Sequence, residues 1–365
     1  MNRALNFNAG PAALPEEVLK AAEANWLNFN GSGMAIMELS HRSKEYEKVH
    51  NQAQELLRKL LAIPDNYEIL FLQGGASLQF SMVPMNLLTE GKTAHYILSG
   101  VWSEKAIQEA KKIGLTSVIA SSKEENYRSI PPFDCLSLTD NNTAYVHLTS
   151  NNTIYGTQWQ TFPVLEKFPL VADMSSDILS KKLQINNFDL IYAGAQKNLG
   201  PSGVTVVIMN KELLTKSNES LPTMLNYNTF AENNSLYNTP PTLAIYLLKL
   251  VLEWVDEIGG LPFIENTNEE KAKLLYDCID ESEGFFIGHA NKESRSKMNV
   301  TFKLKDEETT KRFLHQAKEA GFIGLNGHRS VGGCRASIYN AVPVEHVLQL
   351  VDFMTKFRKN SLQKI

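Results

Sequence analysis

Phe188-Asp189-Leu190-Ile191-Tyr192-Ala193-Gly194-Ala195-Gln196-Lys197-Asn198-Leu199-Gly200-Pro201-Ser202-Gly203 sets one lysine between two apolar stretches that read as strands. The approach strand ends in Ala-Gly-Ala. The exit, Gly-Pro-Ser-Gly, leads into Val204-Thr205-Val206-Val207-Ile208-Met209. Small residues on both sides leave room for a flat ligand against the backbone, and the glycines supply turn geometries closed to other residues. An amine in such a cramped, partly apolar site has its charged form disfavoured, which makes it a nucleophile able to form a Schiff base. A solvated lysine at a loop tip is the alternative reading of the same segment.

A carboxylate 24 residues upstream bears on that choice. Pro169-Leu170-Val171-Ala172-Asp173 reads as a short buried strand ending on Asp173, and ligands of open α/β sheets bind beyond the carboxyl ends of their strands. An acid opposite a Schiff-base lysine is the pairing that pyridoxal phosphate (PLP) needs, the acid holding the pyridine nitrogen protonated. Asp173 as a helix N-cap, with Ser175 and Ser176 as rivals, is the structural alternative. A plain Asp173–Lys197 ion pair is another. For the phosphate, Glu68–Leu72 reads as a strand. Gln73-Gly74-Gly75-Ala76-Ser77 then turns into a helix beginning near Leu78, presenting free N–H groups and the positive dipole end. No Gly-x-x-x-x-Gly-Lys-Ser/Thr pattern is present, so a nucleotide P-loop is not expected. Trp102, at a helix start after the strand His95–Ser99, suits ring stacking or core packing equally.

The alternation of strand-like and helix-like segments from about residue 14 to 210 predicts a doubly wound, mostly parallel α/β sheet. Strands are expected near Ile69, Tyr96, Val118, Tyr145, Val171, Ile191 and Val206, and helices over Lys44–Leu61 and Thr242–Ile258. Gly259-Gly260 reads as a hinge. Beyond it the order helix (269–279), strand (298–302), helix (309–320), strand (335–338), helix (344–357) predicts a smaller α+β domain. The expected division is 16–258 for the large domain and 259–365, with the N-terminal segment 1–15, for the small one.

The formal charge of −4 over 365 residues argues against non-specific binding of nucleic acid or a membrane surface. Cys135, Cys278 and Cys334 are odd in number and lie far apart, which suggests reduced thiols in the cytoplasm. No secretory signal, membrane span or zinc-like ligand spacing is expected.

Taken in order, Asn6–Pro15, Ser40-His41-Arg42-Ser43, Gly74–Phe80, Ala172–Ser176, Gly194–Pro201, Tyr237–Pro241 and Gly327–Ala341 resemble the phosphoserine aminotransferase family, class V aminotransferases of the fold-type I PLP scaffold. The resemblance covers essentially the whole chain. It implies PLP carried covalently on Lys197, one per subunit, with Asp173 on the pyridinium nitrogen, Trp102 on the ring and Thr153 on the phenolic oxygen. Ala76, Ser77 and Gln196 would hold the phosphate, joined by Asn238 and Thr239 of the other subunit of a homodimer whose active sites lie at the subunit interface. His41, Arg42, His328, Arg329 and Arg335 would clamp the substrate anions, and no metal is implied. The implied reaction is transamination of 3-phosphooxypyruvate by glutamate to phosphoserine and 2-oxoglutarate in serine biosynthesis, extending to the phosphorylated intermediate of pyridoxine biosynthesis. One departure stands out: many members carry Arg where this chain has Ser77, so a charge-assisted phosphate contact is missing. A cysteine desulfurase using Cys334 and a non-catalytic phosphometabolite-binding protein are the competing readings.

Overall fold

The structure is a computed structural model that describes residues 3–133, 138 and 142–363. Seven strands form the central sheet, in the order Tyr67–Leu72, Thr205–Asn210, Leu190–Gly194, Leu170–Asp173, Thr143–Thr149, Thr93–Leu98, Leu115–Ser121. Thr205–Asn210 runs antiparallel to both of its neighbours, while every other pairing is parallel. The sheet is therefore mostly parallel, as the alternating pattern predicts.

Side chains of a strand alternate between its faces, and here both faces are covered. Ile69, Phe71, Val146, Leu148, Ala172, Ile191, Ala193, Val206 and Ile208 pack into one buried cluster. Their sequence neighbours Leu70, Leu72, Tyr145, Val171, Leu190, Tyr192, Val207 and Met209 pack into the cluster on the opposite face. A third cluster gathers residues from Ala272 to Phe357 around the three-stranded sheet Phe286–Gly288, Asn299–Leu304, Cys334–Ser337. Phe7 belongs to that cluster, because Leu5–Asn6 pairs with Phe322–Ile323.

Several boundaries differ from the sequence reading. The helix expected near Leu78 already begins at Gly75 and runs to Leu87. The helix expected over 269–279 extends from Gly260 to Asp280 and follows Thr242–Glu257 almost without a break. Gly259 makes that corner at φ +112°, and Pro262 is tolerated because the first helical turn needs no N–H donors. Of the cysteines, Cys278 and Cys334 are free thiols, and Cys135 lies outside the described residues. Among the described residues no helix is long and apolar enough to cross a membrane, and no His, Cys, Asp and Glu are grouped to hold a metal ion.

Candidate active site

Strand pairing brings Asp173 and the lysine segment to one edge. Asp173 ends its strand opposite Tyr192, two residues before the neighbouring strand ends at Gly194. No helix follows Asp173, so neither it nor Ser175 or Ser176 is a helix cap. Its Oδ1 instead accepts from the Ser175 N–H at 3.0 Å and the Ser175 hydroxyl at 2.6 Å, a local turn that fixes the carboxylate. Burial raises the Asp173 pKa, while Lys197 and Ser175 pull it down. Burial likewise lowers the Lys197 pKa, opposed by Asp173 and reinforced by the charge of Arg335. Each group thus lies within the other's electrostatic reach. Lys197 Nζ also stands 5.6 Å from the centre of the Trp102 ring.

The indole is held from its edge. Trp102 Nε1 donates to Thr153 Oγ1 at 3.0 Å, which leaves the threonine's own hydroxyl proton available, and Arg335 Nη1 donates to the Thr153 carbonyl at 2.9 Å. Ala76 and Gln196 meet around Gly194. A Cβ at Gly194 would stand 3.0 Å from Gln196 Oε1 and 3.5 Å from the Ala76 nitrogen, so the missing side chain keeps a small polar recess open at a helix N-terminus. Ser77 lies exposed in the first turn of that helix. These residues fit PLP on their own chemistry. A buried carboxylate can face a ring cation, an amine of lowered pKa lies near an indole, and a recess lined by N–H and amide groups can take a phosphate.

A cationic group borders this centre. The pKa of half-buried His328 is lowered by burial and then by the charges of Arg335, Lys105 and Arg329. Lys105, which the sequence reading did not single out, places Nζ 4.7 Å from the Trp102 ring centre. Its position three residues after Trp102 on the helix Val101–Ala110 was a signal available in the sequence. In the sequence Ser175 is a cap rival and a member of the motif Ala172–Ser176 with no role of its own, and its bridging role depends on a contact to the next strand, Gly194 N–H to Ser175 Oγ at 3.1 Å.

Four expected site residues are not drawn into this group by the chain's own contacts. The Arg42 N–H bonds Ser40 Oγ at 3.2 Å, and His41 Nε2 is buried without a hydrogen-bond partner among the described residues. Asn238 Nδ2 reaches only the carbonyl of Thr239, at 3.4 Å.

A mostly parallel sheet with a lysine and a carboxylate at one edge defines a Schiff-base enzyme scaffold, and the chain belongs to the class V aminotransferases, whose family model (Aminotransferase class-V) matches residues 4–350. Within that family it is 64% identical over 359 residues to the phosphoserine aminotransferase of Geobacillus kaustophilus (strain HTA426), covering 98% of this chain and 99% of that one. A solved phosphoserine aminotransferase studied for radiation damage of its Schiff base superimposes with a TM-score of 0.95 at 59% identity, covering 98% of this chain and all of that one. The PLP-bound phosphoserine aminotransferase of Trichomonas vaginalis superimposes with a TM-score of 0.91 at 39% identity, covering 97% and 100% of the two chains.

Proposed function

We propose that this chain is a PLP-dependent phosphoserine aminotransferase, exchanging the amino group of glutamate with 3-phosphooxypyruvate in serine biosynthesis. The observation that carries the reading is the shared edge of Asp173 and Lys197, in a chain more than half identical to enzymes of that name over nearly its full length. When bound, the cofactor supplies an electron sink for the bonds at the substrate's Cα.

The chain's own residues do the rest. Lys197, whose charged form burial disfavours, is the group that would bond the cofactor and carry a proton at Nζ. Asp173, fixed through Oδ1 by Ser175, offers a buried charge that a cation beside it would further relieve. Trp102, tethered to Thr153, would hold the cofactor's ring by stacking, and the recess at Gly194, with Ala76, Ser77 and Gln196, would hold its phosphate. His328, Arg329 and Arg335 receive the substrate's anions.

A homodimer accounts for the four residues left outside. His41 and Arg42 follow exposed Leu27, Met34 and Met37, and Asn238 follows exposed Tyr237. Apolar surface of that size beside unused polar groups suits a contact with a second copy, which would bring both pairs to the partner's site. We also read 259–365 with 1–15 as the small domain, and a cytoplasmic location from the free thiols Cys278 and Cys334.

The desulfurase reading is disfavoured. Cys334 is buried in the small sheet, and burial pushes its thiol up to about 12, the reverse of what an attacking thiolate needs. A passive binding protein has no use for a buried lysine whose charged form is disfavoured beside a buried carboxylate. Borohydride reduction of the purified protein should fix the cofactor on Lys197, located by peptide mass. Lys197→Ala should abolish both the adduct and amino transfer from glutamate to 3-phosphooxypyruvate. An adduct on another lysine would refute the assignment.

A further inference from the structure

Lys271 lies wholly buried on the helix Gly260–Asp280, which carries none of the candidate site residues. Its ammonium donates to three main-chain carbonyls of a single turn: Ile338 at 3.0 Å, Tyr339 at 2.8 Å and Val342 at 3.0 Å. One helical turn earlier, Asn268 Nδ2 donates to Asn340 Oδ1 at 2.9 Å. The helix thus grips the turn 338–342 at four points. Burial pushes the Lys271 pKa down to about 7, so its charge is costly to hold here, and an apolar side chain in its place would leave three buried carbonyls without this donor.

The gripped turn holds both segments that wall Lys197. The Asn340 N–H donates to Asn198 Oδ1 at 3.1 Å, fixing the residue that follows the lysine. Tyr339 Oη accepts from Asn299 Nδ2 at 3.1 Å and donates to the Ala9 carbonyl at 2.8 Å. Ala9 precedes Gly10, which lies at φ +150° and so near the lysine stem that a Cβ there would be 3.4 Å from Lys197 Cγ. The Ala12 N–H bonds the Gln196 carbonyl at 2.9 Å and ties the two walls together.

Resting on the aminotransferase reading, we infer that Lys271 and Tyr339 are positioning residues: through the turn 338–342 they press the 9–12 and 196–198 segments around Lys197 and keep its amine dry. Neither residue touches the reacting atoms.

The test reads the lysine itself. Full-length wild type, Tyr339→Phe and Lys271→Met are resolved of cofactor and briefly acetylated with acetic anhydride over a range of pH, and Lys197 labelling is followed by mass spectrometry. Lys20, at the surface, serves as the internal standard. Tyr339→Phe removes one hydroxyl and should fold even if Lys271→Met does not. Water entering between the loosened walls should raise the Lys197 pKa, so that the midpoint of its acetylation profile moves to higher pH while that of Lys20 stays in place. In the cofactor-loaded proteins kcat should fall while KM for glutamate stays within about twofold. A Lys197 profile that superimposes on wild type in Tyr339→Phe, whatever happens to the melting temperature, would overturn the proposal. The labelling needs no substrate, so failure of the aminotransferase assignment would show separately, as absence of amino transfer in the wild type.

Discussion

Ser175 gives Asp173 two hydrogen bonds, from its backbone N–H and its hydroxyl, and both fall on Oδ1. The same hydroxyl accepts from the Gly194 N–H, so one side chain joins the carboxylate strand to the lysine strand. Ser175→Ala should leave a buried carboxylate short of one donor and the Gly194 N–H without its acceptor. The loss is about 1–3 kcal/mol of stability. Thermal unfolding should show it, and turnover should fall with it because the carboxylate is freer to rotate. An unchanged Tm and kcat would mean that the bridge is incidental.

Gly194→Ala would put a methyl group between Gln196 Oε1 and the Ala76 N–H. The strand itself should survive, since the position needs space rather than an unusual backbone. Cofactor affinity should drop by tenfold or more, equivalent to about 1.4 kcal/mol or above. Titration of the cofactor-free protein with PLP measures this directly. Wild-type affinity in the variant would place the phosphate elsewhere.

Selection between phosphoserine and serine checks the cationic group. His328 and Arg335 are half-buried, while Arg329 and Arg42 are exposed until a substrate or a second subunit covers them; donors covered in this way lose their partner when a substrate lacks the matching anion, at a cost on the order of 2–5 kcal/mol for a close charge pair. Phosphoserine should therefore exceed serine in kcat/KM by orders of magnitude in the reverse direction. Arg329→Ala or Arg42→Ala should erase much of the gap. Equal efficiencies in the wild type would remove the phosphate clamp from the argument.

Acid sensitivity follows from a histidine away from the site. His147 is buried within the interior strand Thr143–Thr149, with Nε2 2.8 Å from Tyr192 Oη and its ring stacked 4.9 Å from Tyr96. Burial lowers its pKa from the ordinary 6.5 to about 3. The unfolded chain therefore takes up this proton below about pH 6.5 while the folded one does not, and stability falls as pH drops from there toward 3. His147→Gln should flatten the decline of Tm between pH 6 and 4, one proton being worth up to about 1.4 kcal/mol per pH unit. An identical slope in the variant would mean that His147 titrates normally.

Much of this was open to inspection in the sequence. Local pattern placed the helix Lys44–Leu61 at its observed ends, because Ser43 caps it and the apolar positions recur at helical spacing. The short β-rich runs located all seven strands of the large sheet, six of them mostly buried and the seventh, Leu115–Ser121, exposed or half-buried at the end of the strand order. The helix start at Gly75 and the long helix from Gly260 were misjudged, because glycines that read as breaks sit in or directly before a first helical turn.

The sequence by itself determined the type of chemistry: a lysine among small residues, an acid ending a buried strand and a glycine-rich turn before a helix are local patterns whose meaning depends on few neighbours. Tertiary structure alone decided how those groups are held. Lys105 over Trp102, Ser175 between Asp173 and Gly194, and Lys271 behind the turn that walls Lys197 depend on spatial contacts, and in the last case on residues 67 to 71 positions apart. Burial, which moves the pKa values of Asp173 and Lys197 toward each other, likewise exists only once the sheet has closed over them. No residue carries that information, because desolvation is a property of the packed neighbourhood.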